Sequence, residues 1–127
     1  MGSVSVRYIV DDVDAAIRFY TGHLGFTVVI HPGPGFAAIS HGDLRLLLSA
    51  PGGGGGAGRD MPDGRRPEPR GWNRIQIEVD DLGQTVATLK QAGARFRSDI
   101  VTGNGGRQIL LEDPAGNPIE LFEPARR

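Results

Sequence analysis

The sequence contains no cysteine, a single tryptophan and only 6% aromatic residues in 127 positions. The absence of cysteine excludes disulfide bonds, thiolate metal ligands and a cysteine nucleophile. It carries no information on the redox compartment, because a chain without thiols is compatible with either one. Since Trp72 is the only tryptophan, its emission can report on ligands that bind near it.

An excess of one charge and long apolar runs are also missing. The net charge is −1, so the chain has no basic field of the kind that releases counterions from a nucleic acid. No segment resembles a signal peptide or a membrane span of about 20 apolar residues. We therefore expect a soluble, cytoplasmic protein that binds neither nucleic acid nor membranes.

The sequence does contain an internal repeat. Val10-Asp11-Asp12-Val13 recurs as Val79-Asp80-Asp81-Leu82, and each copy closes a strand-like run and opens a helix-like one. The length suits one compact domain. We predict a single domain over residues 1–127, made of module one (1–49), a Gly/Pro/Arg-rich loop (50–71) and module two (72–127).

Both modules have the same predicted order of elements. Alternation predicts a strand from Ser3 to Val10, and apolar residues at helical spacing after Asp12 predict a helix from Val13 to His23. Asp81 caps the matching helix of module two, which Gly93 closes. Further strands are predicted at 26–30, 36–40, 44–49, 74–79, 95–101, 107–112 and 118–122, and 103–106 is predicted as a hairpin turn. Each module is therefore βαβββ, and the fold class is α+β.

The loop over 50–71 differs in composition from both modules. It holds the glycine run Gly52 to Gly56, followed by prolines among arginines, which excludes it from a packed core. Three interpretations stay open. The loop is a lid over a ligand, a contact with a partner chain in a dimer, or a disordered tether between the modules.

These features resemble the vicinal oxygen chelate superfamily, which includes glyoxalase I, extradiol dioxygenases, fosfomycin-resistance enzymes and bleomycin-resistance proteins. The resemblance covers essentially the whole chain and is carried by the segments 10–13, 19–26 and 113–121. It implies that the two modules form a half-open mixed β-barrel whose concave face holds the site. It also implies that homodimerisation completes the paired modules.

Metal-dependent members of this superfamily place one ligand on the first strand and one on the last strand of each module. The matching positions here are Ser5, Leu46, Arg74 and Glu120. Only Glu120 is a usual ligand, whereas a divalent cation needs three or four donors. We therefore expect neither a metal nor another cofactor. We further predict that Arg74 pairs with Glu120, so that a fixed cation replaces the metal charge.

Other strand residues have the chemistry of ligand binding. Polar side chains can bind carbonyl, hydroxyl or carboxylate groups, and aromatic ones can flank a flat ring. With the four positions above, the predicted ligand-binding set is Ser5, Arg7, Phe36, Leu46, Trp72, Arg74, Gln76, Glu120 and Phe122. The competing interpretation is that these polar residues are ordinary solvated surface.

The three histidines are scattered. His23 lies at a predicted helix end, and His31 and His41 lie in or beside turns, where structural roles are expected. One alternative is that His31 and His41 meet across neighbouring strands and form a weak metal site.

The sequence predicts metal-independent binding and sequestration of a small, flat, partly polar organic molecule. Following the bleomycin-resistance branch, this ligand would be an antibiotic or another natural product, and no catalytic residue is assigned. An alternative is a superfamily enzyme (lyase, isomerase or dioxygenase-like) that uses Glu120 or Glu78 as a base. A further alternative is an accessory interaction module with a vestigial cleft.

Overall fold

The computed structural model describes residues 4–52 and 56–126. In chain order the elements are β1 (Ser5–Ile9), α1 (Val13–His23), β2 (Thr27–Gly33), β3 (Phe36–His41), β4 (Leu44–Ser49), β5 (Ile75–Glu78), α2 (Leu82–Gln91), β6 (Arg95–Phe96), β7 (Val101–Gly103), β8 (Gly106–Glu112) and β9 (Pro118–Pro124). The predicted α+β class with two βαβββ modules is confirmed, the second module having one more short strand. Within the described residues, neither helix is long and apolar enough to cross a membrane.

The chain separates into two compact units. Unit 1 comprises Met1–Arg70 and Pro114–Asn117, and unit 2 comprises Gly71–Asp113 and Pro118–Arg127. The short segment 114–117 therefore packs with the first module although it lies in the second half of the sequence.

Unit 1 contains a four-stranded sheet in the order β1-β4-β3-β2. β1 runs parallel to β4, and the other neighbours are antiparallel. Helix α1 begins after Asp12, whose side chain accepts a hydrogen bond from the Ala15 N–H. The helix buries Val13, Ala16 and Tyr20, which share one face because of their spacing. The predicted helix and its cap are confirmed.

Unit 2 contains the second sheet, in the order β5-β9-β8-β6, with β7 also paired to β8. β5 runs parallel to β9, which repeats the β1 and β4 arrangement of unit 1. Helix α2 is capped by Asp81, which accepts a hydrogen bond from the Gln84 N–H. The cap predicted from the repeated motif is therefore confirmed as well.

The N-terminus of α2 is also joined to the sheet of unit 2. The Leu82 N–H donates to Oε1 of Glu123 on β9 at 2.7 Å, and Arg107 Nη2 lies 3.3 Å from the same oxygen. These contacts hold the pKa of Glu123 below its ordinary value, and the largest cause is the hydrogen bond from Leu82. Ionised Glu123 thus stabilises the start of the helix.

The strand predicted over 95–101 is divided into β6 and β7, which corrects the sequence prediction. Both strands pair with β8, but the chain between them is longer than the facing part of β8, so the ladder is interrupted. Ser98 Oγ accepts the hydrogen bond from the Leu110 N–H at 3.1 Å and so replaces a backbone carbonyl at the break.

Strand β2 extends past its predicted end at Ile30 and includes Pro32. Its register with β3 shifts between Val28 and Ile30 and again between Ile30 and Gly33. Proline has no N–H to donate, so a strand accommodates it only at an edge or a bulge, and β2 is the edge strand of its sheet.

The described part of the loop over 50–71 contains neither helix nor strand, as predicted. It makes local backbone hydrogen bonds, including one from the Gly52 N–H to the Gly58 carbonyl at 2.6 Å. Some positions of the sequence predictions lie outside the described residues; these are Ser3 of the first strand and Gly53, Gly54 and Gly55 of the glycine run.

Candidate ligand-binding site

Strands β5 and β9 of unit 2 bring three polar side chains together. Gln76 and Glu120 are register partners, and alternation places Arg74 on the same face of the sheet. Glu120 Oε1 lies 3.0 Å from Arg74 Nε and 2.9 Å from Arg74 Nη2. The predicted pairing of Arg74 with Glu120 is confirmed. We refer to Arg74, Gln76 and Glu120 as the β5–β9 cluster.

The second carboxylate oxygen of Glu120 is also bound. Gln76 Nε2 donates to Glu120 Oε2 at 2.6 Å. A carboxylate that is nearly buried requires a paired charge and hydrogen-bonded oxygens, and Arg74 and Gln76 supply both. The Arg74 side chain is 29% exposed, compared with 10% for Glu120. Gln76 is exposed as well, so the guanidinium and the amide are the accessible groups of the cluster, and the carboxylate is not.

Trp72 precedes the cluster, and its carbonyl accepts a hydrogen bond from Arg74 Nη1 at 3.4 Å. The residue is 69% exposed, and the Arg97 guanidinium lies over one ring face at 4.7 Å from the centroid. Arg97 is held in turn by Glu112 Oε2 at 2.8 Å and by the Gly71 carbonyl at 2.7 Å. Trp72 therefore presents its other ring face as a flat apolar surface.

Sequence reasoning did not find Arg97. Its position lay inside a run predicted as one continuous strand, and alternation gave no reason to distinguish it from Arg95. The break between β6 and β7 allows Arg97 to reach both Glu112 and the ring of Trp72. The only signal in the sequence was a positive charge in an otherwise strand-like segment.

Phe122 and Glu78 lie one step further along the same strands. They are register partners, on the same face as Gln76 and Glu120. Phe122 is half-buried and adds an apolar side chain beside the cluster, whereas Glu78 is exposed. Among residues 4–52 and 56–126, no side chain forms a hydrogen bond or ion pair with that of Glu78. Five of the predicted site residues thus belong to unit 2.

The other predicted site residues lie on the sheet of unit 1. Ser5 and Arg7 are exposed on β1, and Arg7 Nη1 donates to Ser49 Oγ at 2.8 Å. Phe36 is half-buried at the start of β3. Leu46 on β4 is fully buried.

The strand register corrects one equivalence between the modules. In unit 2 Glu120 faces Gln76, and the counterpart of Gln76 in the repeat is Arg7. Arg7 faces Leu47, so Leu47 rather than Leu46 is the counterpart of Glu120. Spacing from the turn glycine gave the neighbouring residue, because Glu120 is the fourth residue after Gly116 whereas Leu47 is the fifth after Gly42. Leu46 points to the opposite face of its sheet.

The hypothesis of a metal site shared by His31 and His41 is wrong. His31 Nε2 lies 3.4 Å from Asp14 Oδ1, and the ring of His41 packs on Phe26 with centroids 5.2 Å apart. The β2–β3 register puts the two histidines at opposite ends of the ladder. In the part of the chain that the structure describes, no group of three or more His, Asp or Glu side chains is placed to hold a metal.

Comparison with known proteins places the chain in a family. The family model described as Glyoxalase/Bleomycin resistance protein/Dioxygenase superfamily matches residues 2–121. The chain belongs to this superfamily. The resemblance inferred from the repeated motifs is thus confirmed. No curated protein matches the sequence.

Solved structures of the superfamily share the fold along nearly the whole chain. A superfamily member from Sphaerobacter thermophilus is 25% identical with a TM-score of 0.75, covering 97% of both chains. TnmS3, an antibiotic binding protein from Streptomyces, is 23% identical with a TM-score of 0.73, covering 98% of this chain and 97% of that one. Lactoylglutathione lyase from Agrobacterium tumefaciens is 22% identical with a TM-score of 0.73, covering 96% and 92%.

The residues of this superfamily member do not fit a divalent metal ion. With the corrected register, the four positions that match metal ligands are Ser5, Leu47, Arg74 and Glu120. Both oxygens of Glu120 are bound within the β5–β9 cluster, and the Arg74 guanidinium lies where it would repel a cation. Leucine and arginine donate no electron pair to a metal.

Proposed function

We propose that this protein binds and sequesters a small, flat, partly polar organic molecule, an antibiotic or another natural product, without a metal or other cofactor. One observation carries the proposal. Both carboxylate oxygens of Glu120 are hydrogen-bonded, while Trp72, which precedes the cluster, is exposed. A carboxylate whose two oxygens are bound is a poor base and a poor metal ligand. It is well suited to hold a guanidinium in one orientation.

The proposed binding mode uses one flat surface and one polar group. The exposed face of Trp72 stacks on an aromatic or conjugated ring, and such stacking is worth about 0.5–1.5 kcal/mol beyond the buried area. Arg74 donates to a carbonyl, hydroxyl or carboxylate of the ligand, since its planar fork is already oriented by Glu120. Phe122 supplies an apolar flank. An apolar wall with a few oriented polar groups is typical of small-molecule sites.

The solved structures support binding as one of the functions of this fold. TnmS3 is an antibiotic binding protein, and the Agrobacterium protein is a lyase, so the fold alone does not choose between them. The residues of the β5–β9 cluster favour binding for this chain, because the only acid among the four ligand positions is fully occupied.

The direct experiment is a titration of Trp72 emission with planar aromatic antibiotics. We expect saturable quenching by at least one compound, which chromatography and mass spectrometry then recover unchanged. Stoichiometric metal retained after dialysis would overturn the metal-free proposal. Expression in a susceptible bacterium should raise the inhibitory concentration of the bound compound.

Substitution of Arg74 tests the role of the cluster. Arg74→Met removes the accessible guanidinium, and we expect at least a tenfold loss of affinity, about 1.4 kcal/mol. Arg95→Met is the matched control, because Arg95 is an exposed arginine of the same unit. Equal affinity in both variants would show that the cluster does not contact the ligand.

The enzymatic alternative depends on Glu78 or Glu120 as a base. Glu78 is the stronger of the two candidates, since it is exposed and Glu120 is held by two partners. If a bound compound is converted and Glu78→Gln abolishes the conversion with binding unchanged, the protein is an enzyme rather than a sequestering protein.

We further propose a homodimer in which β2 contacts a second copy. Val28, Val29 and Ile30 on this edge strand are 48%, 47% and 49% exposed, and an exposed apolar edge strand favours association. Light scattering should give twice the mass of the chain, and Val29→Lys should give monomers. A monomeric unmodified protein would contradict this proposal.

A cytoplasmic location is a prediction from the sequence, tested by cell fractionation.

The loop over 50–71 is proposed to act as a lid, with partner contact and tether as the other interpretations. Deleting 52–58 should speed up ligand dissociation if the loop covers the ligand. An unchanged dissociation rate would rule out the lid, and a change of mass in solution would identify a dimer contact.

A further inference from the structure

One face of the unit 1 sheet carries a row of polar residues across all four strands. The registers pair Ser5 with Arg45, Arg45 with Ser40, and Ser40 with Thr27. Register partners project to the same face, so these four side chains form one row. The other face carries the fully buried Ile39, Leu46 and Leu48.

A second arginine lies in the next row of the polar face. Alternation on β1 places Arg7 on the same side as Ser5, at a spacing of about 7 Å along the strand. Arg7 Nη1 donates to Ser49 Oγ at 2.8 Å, and Ser49 itself is 3% exposed. The same face therefore holds two guanidinium groups and several hydroxyls.

Neither arginine is neutralised. No carboxylate of residues 4–52 or 56–126 lies within ion-pair distance of Arg7 or Arg45. The Nε of Arg45 is buried and has no hydrogen-bond partner among the residues that the structure describes. Burying a charged donor without an acceptor is costly, so the Nε of Arg45 calls for an explanation.

We propose that Arg45 and Arg7 form a binding site for an oxyanion, namely a carboxylate, phosphate or phosphonate group of a small molecule. The planar guanidinium of Arg45 binds two anion oxygens in parallel through its two Nη groups. Arg7 adds a second positive charge, and the hydroxyls of Ser5 and Ser40, the register partners of Arg45, supply further hydrogen-bonding groups. Ser40 Oγ also lies 3.3 Å from Thr27 Oγ1, and one of these two hydroxyls donates to the other. Ser5 and Arg7 belong to the predicted ligand-binding set, whereas Arg45 was not found from the sequence.

The oxyanion site and the proposed function depend on different residues and are tested by different measurements. It uses only side chains of unit 1 and concerns the charge of the ligand, whereas the proposed function depends on Trp72 and Arg74. Quenching of Trp72 by an uncharged ring tests the proposed function. Anion affinity of Arg45 variants tests this site, so the two proposals can fail separately.

Calorimetry with phenylphosphonate, benzoate and the uncharged benzamide tests the site, and inorganic phosphate tests the anion alone. We expect both aromatic anions to bind more tightly than benzamide. Arg45→Met should weaken anion binding at least tenfold, and Arg7→Met should weaken it to a smaller extent. Arg18→Met changes an exposed arginine of α1 and should leave affinity unchanged. Benzamide binding as tightly as the anions, or an unchanged affinity in Arg45→Met, would overturn the proposal.

A second measurement does not depend on a variant that must fold. In nuclear magnetic resonance spectra of the unmodified protein, phosphate should shift the Nε–Hε signal of Arg45 saturably and leave that of Arg18 in place. Equal, unsaturated shifts of both signals would mean non-specific screening only and would overturn the proposal. A third measurement is thermal unfolding of Arg45→Met without anion. The midpoint should rise, because the unpaired donor is removed. A lower midpoint would assign Arg45 a structural role and would overturn the proposal.

Discussion

Arg74 and Glu120 are joined through a single carboxylate oxygen, with Oε1 2.9 Å from Nη2 and 3.0 Å from Nε. This arrangement leaves Oε2 for Gln76. The pair lies at positions where metal-dependent relatives are expected to carry ligands. Its geometry explains how the fold accommodates a nearly buried acid there, because Arg74 supplies the neutralising charge.

The first prediction concerns the energy of this pair. Glu120→Gln keeps the shape of the side chain but brings an amide donor against Arg74 or Gln76, so we expect the free energy of unfolding to fall by about 2 kcal/mol. This free energy is measured by urea unfolding, with circular dichroism as the signal. Glu68→Gln in the exposed loop is the control and should change little. The double variant Arg74→Met, Glu120→Leu should lose less unfolding free energy than the summed losses of the single variants Arg74→Met and Glu120→Leu. Additive losses would show that the pair is not coupled.

The second prediction concerns the orientation of Trp72. Arg97→Ala removes the guanidinium from one ring face, a contact worth about 0.5–1 kcal/mol at an exposed site. We expect larger rapid motion of the indole in time-resolved emission anisotropy and a several-fold loss of affinity for planar ligands. Arg95→Ala, also close to Glu112 but not over the ring, should preserve both properties. Unchanged anisotropy in Arg97→Ala would mean that Arg97 does not orient the ring.

The third prediction concerns Asn117, which joins two distant parts of unit 1. Its Oδ1 accepts from the Arg70 N–H and its Nδ2 donates to the Ile9 carbonyl, both at 2.8 Å, and the residue is 4% exposed. Asn117→Ala leaves both backbone groups without these bonds, so we expect a loss of stability of about 2–3 kcal/mol. Asn104→Ala in the exposed hairpin turn is the control and should lose less than about 0.5 kcal/mol.

The fourth prediction concerns acid stability. Contacts with Leu82 and Arg107 lower the pKa of Glu123 in the folded state. Ionised Glu123 therefore stabilises the fold above the pKa of the unfolded chain, and this contribution is lost as the pH falls through the lowered folded pKa. Unfolding midpoints in urea should separate unmodified protein from Glu123→Gln at pH 6, and this separation should narrow as the pH is lowered below the ordinary pKa of a glutamate. A constant separation would show that the charge of Glu123 has no effect on stability.

The sequence alone determined the two-module α+β fold and its capped helices. Asp12 and Asp81 act on backbone groups within a few residues, and strand alternation is a local property, so both signals are readable along the chain. The pairing of Arg74 with Glu120 was also predictable, because the repeat and the alternation placed both on one face. The family followed from the same repeated motifs.

The tertiary structure decided which side chains meet, because register depends on turn lengths and long-range pairing. The strand register made Leu47 the counterpart of Glu120 and placed Leu46 on the buried face, since a shift of one position reverses the face of a strand. The interrupted ladder of β8 brought Arg97 over Trp72. Pairing across three strands placed Arg45 in a polar row without an acid. Each of these contacts joins residues far apart in the chain, so no local pattern encodes it.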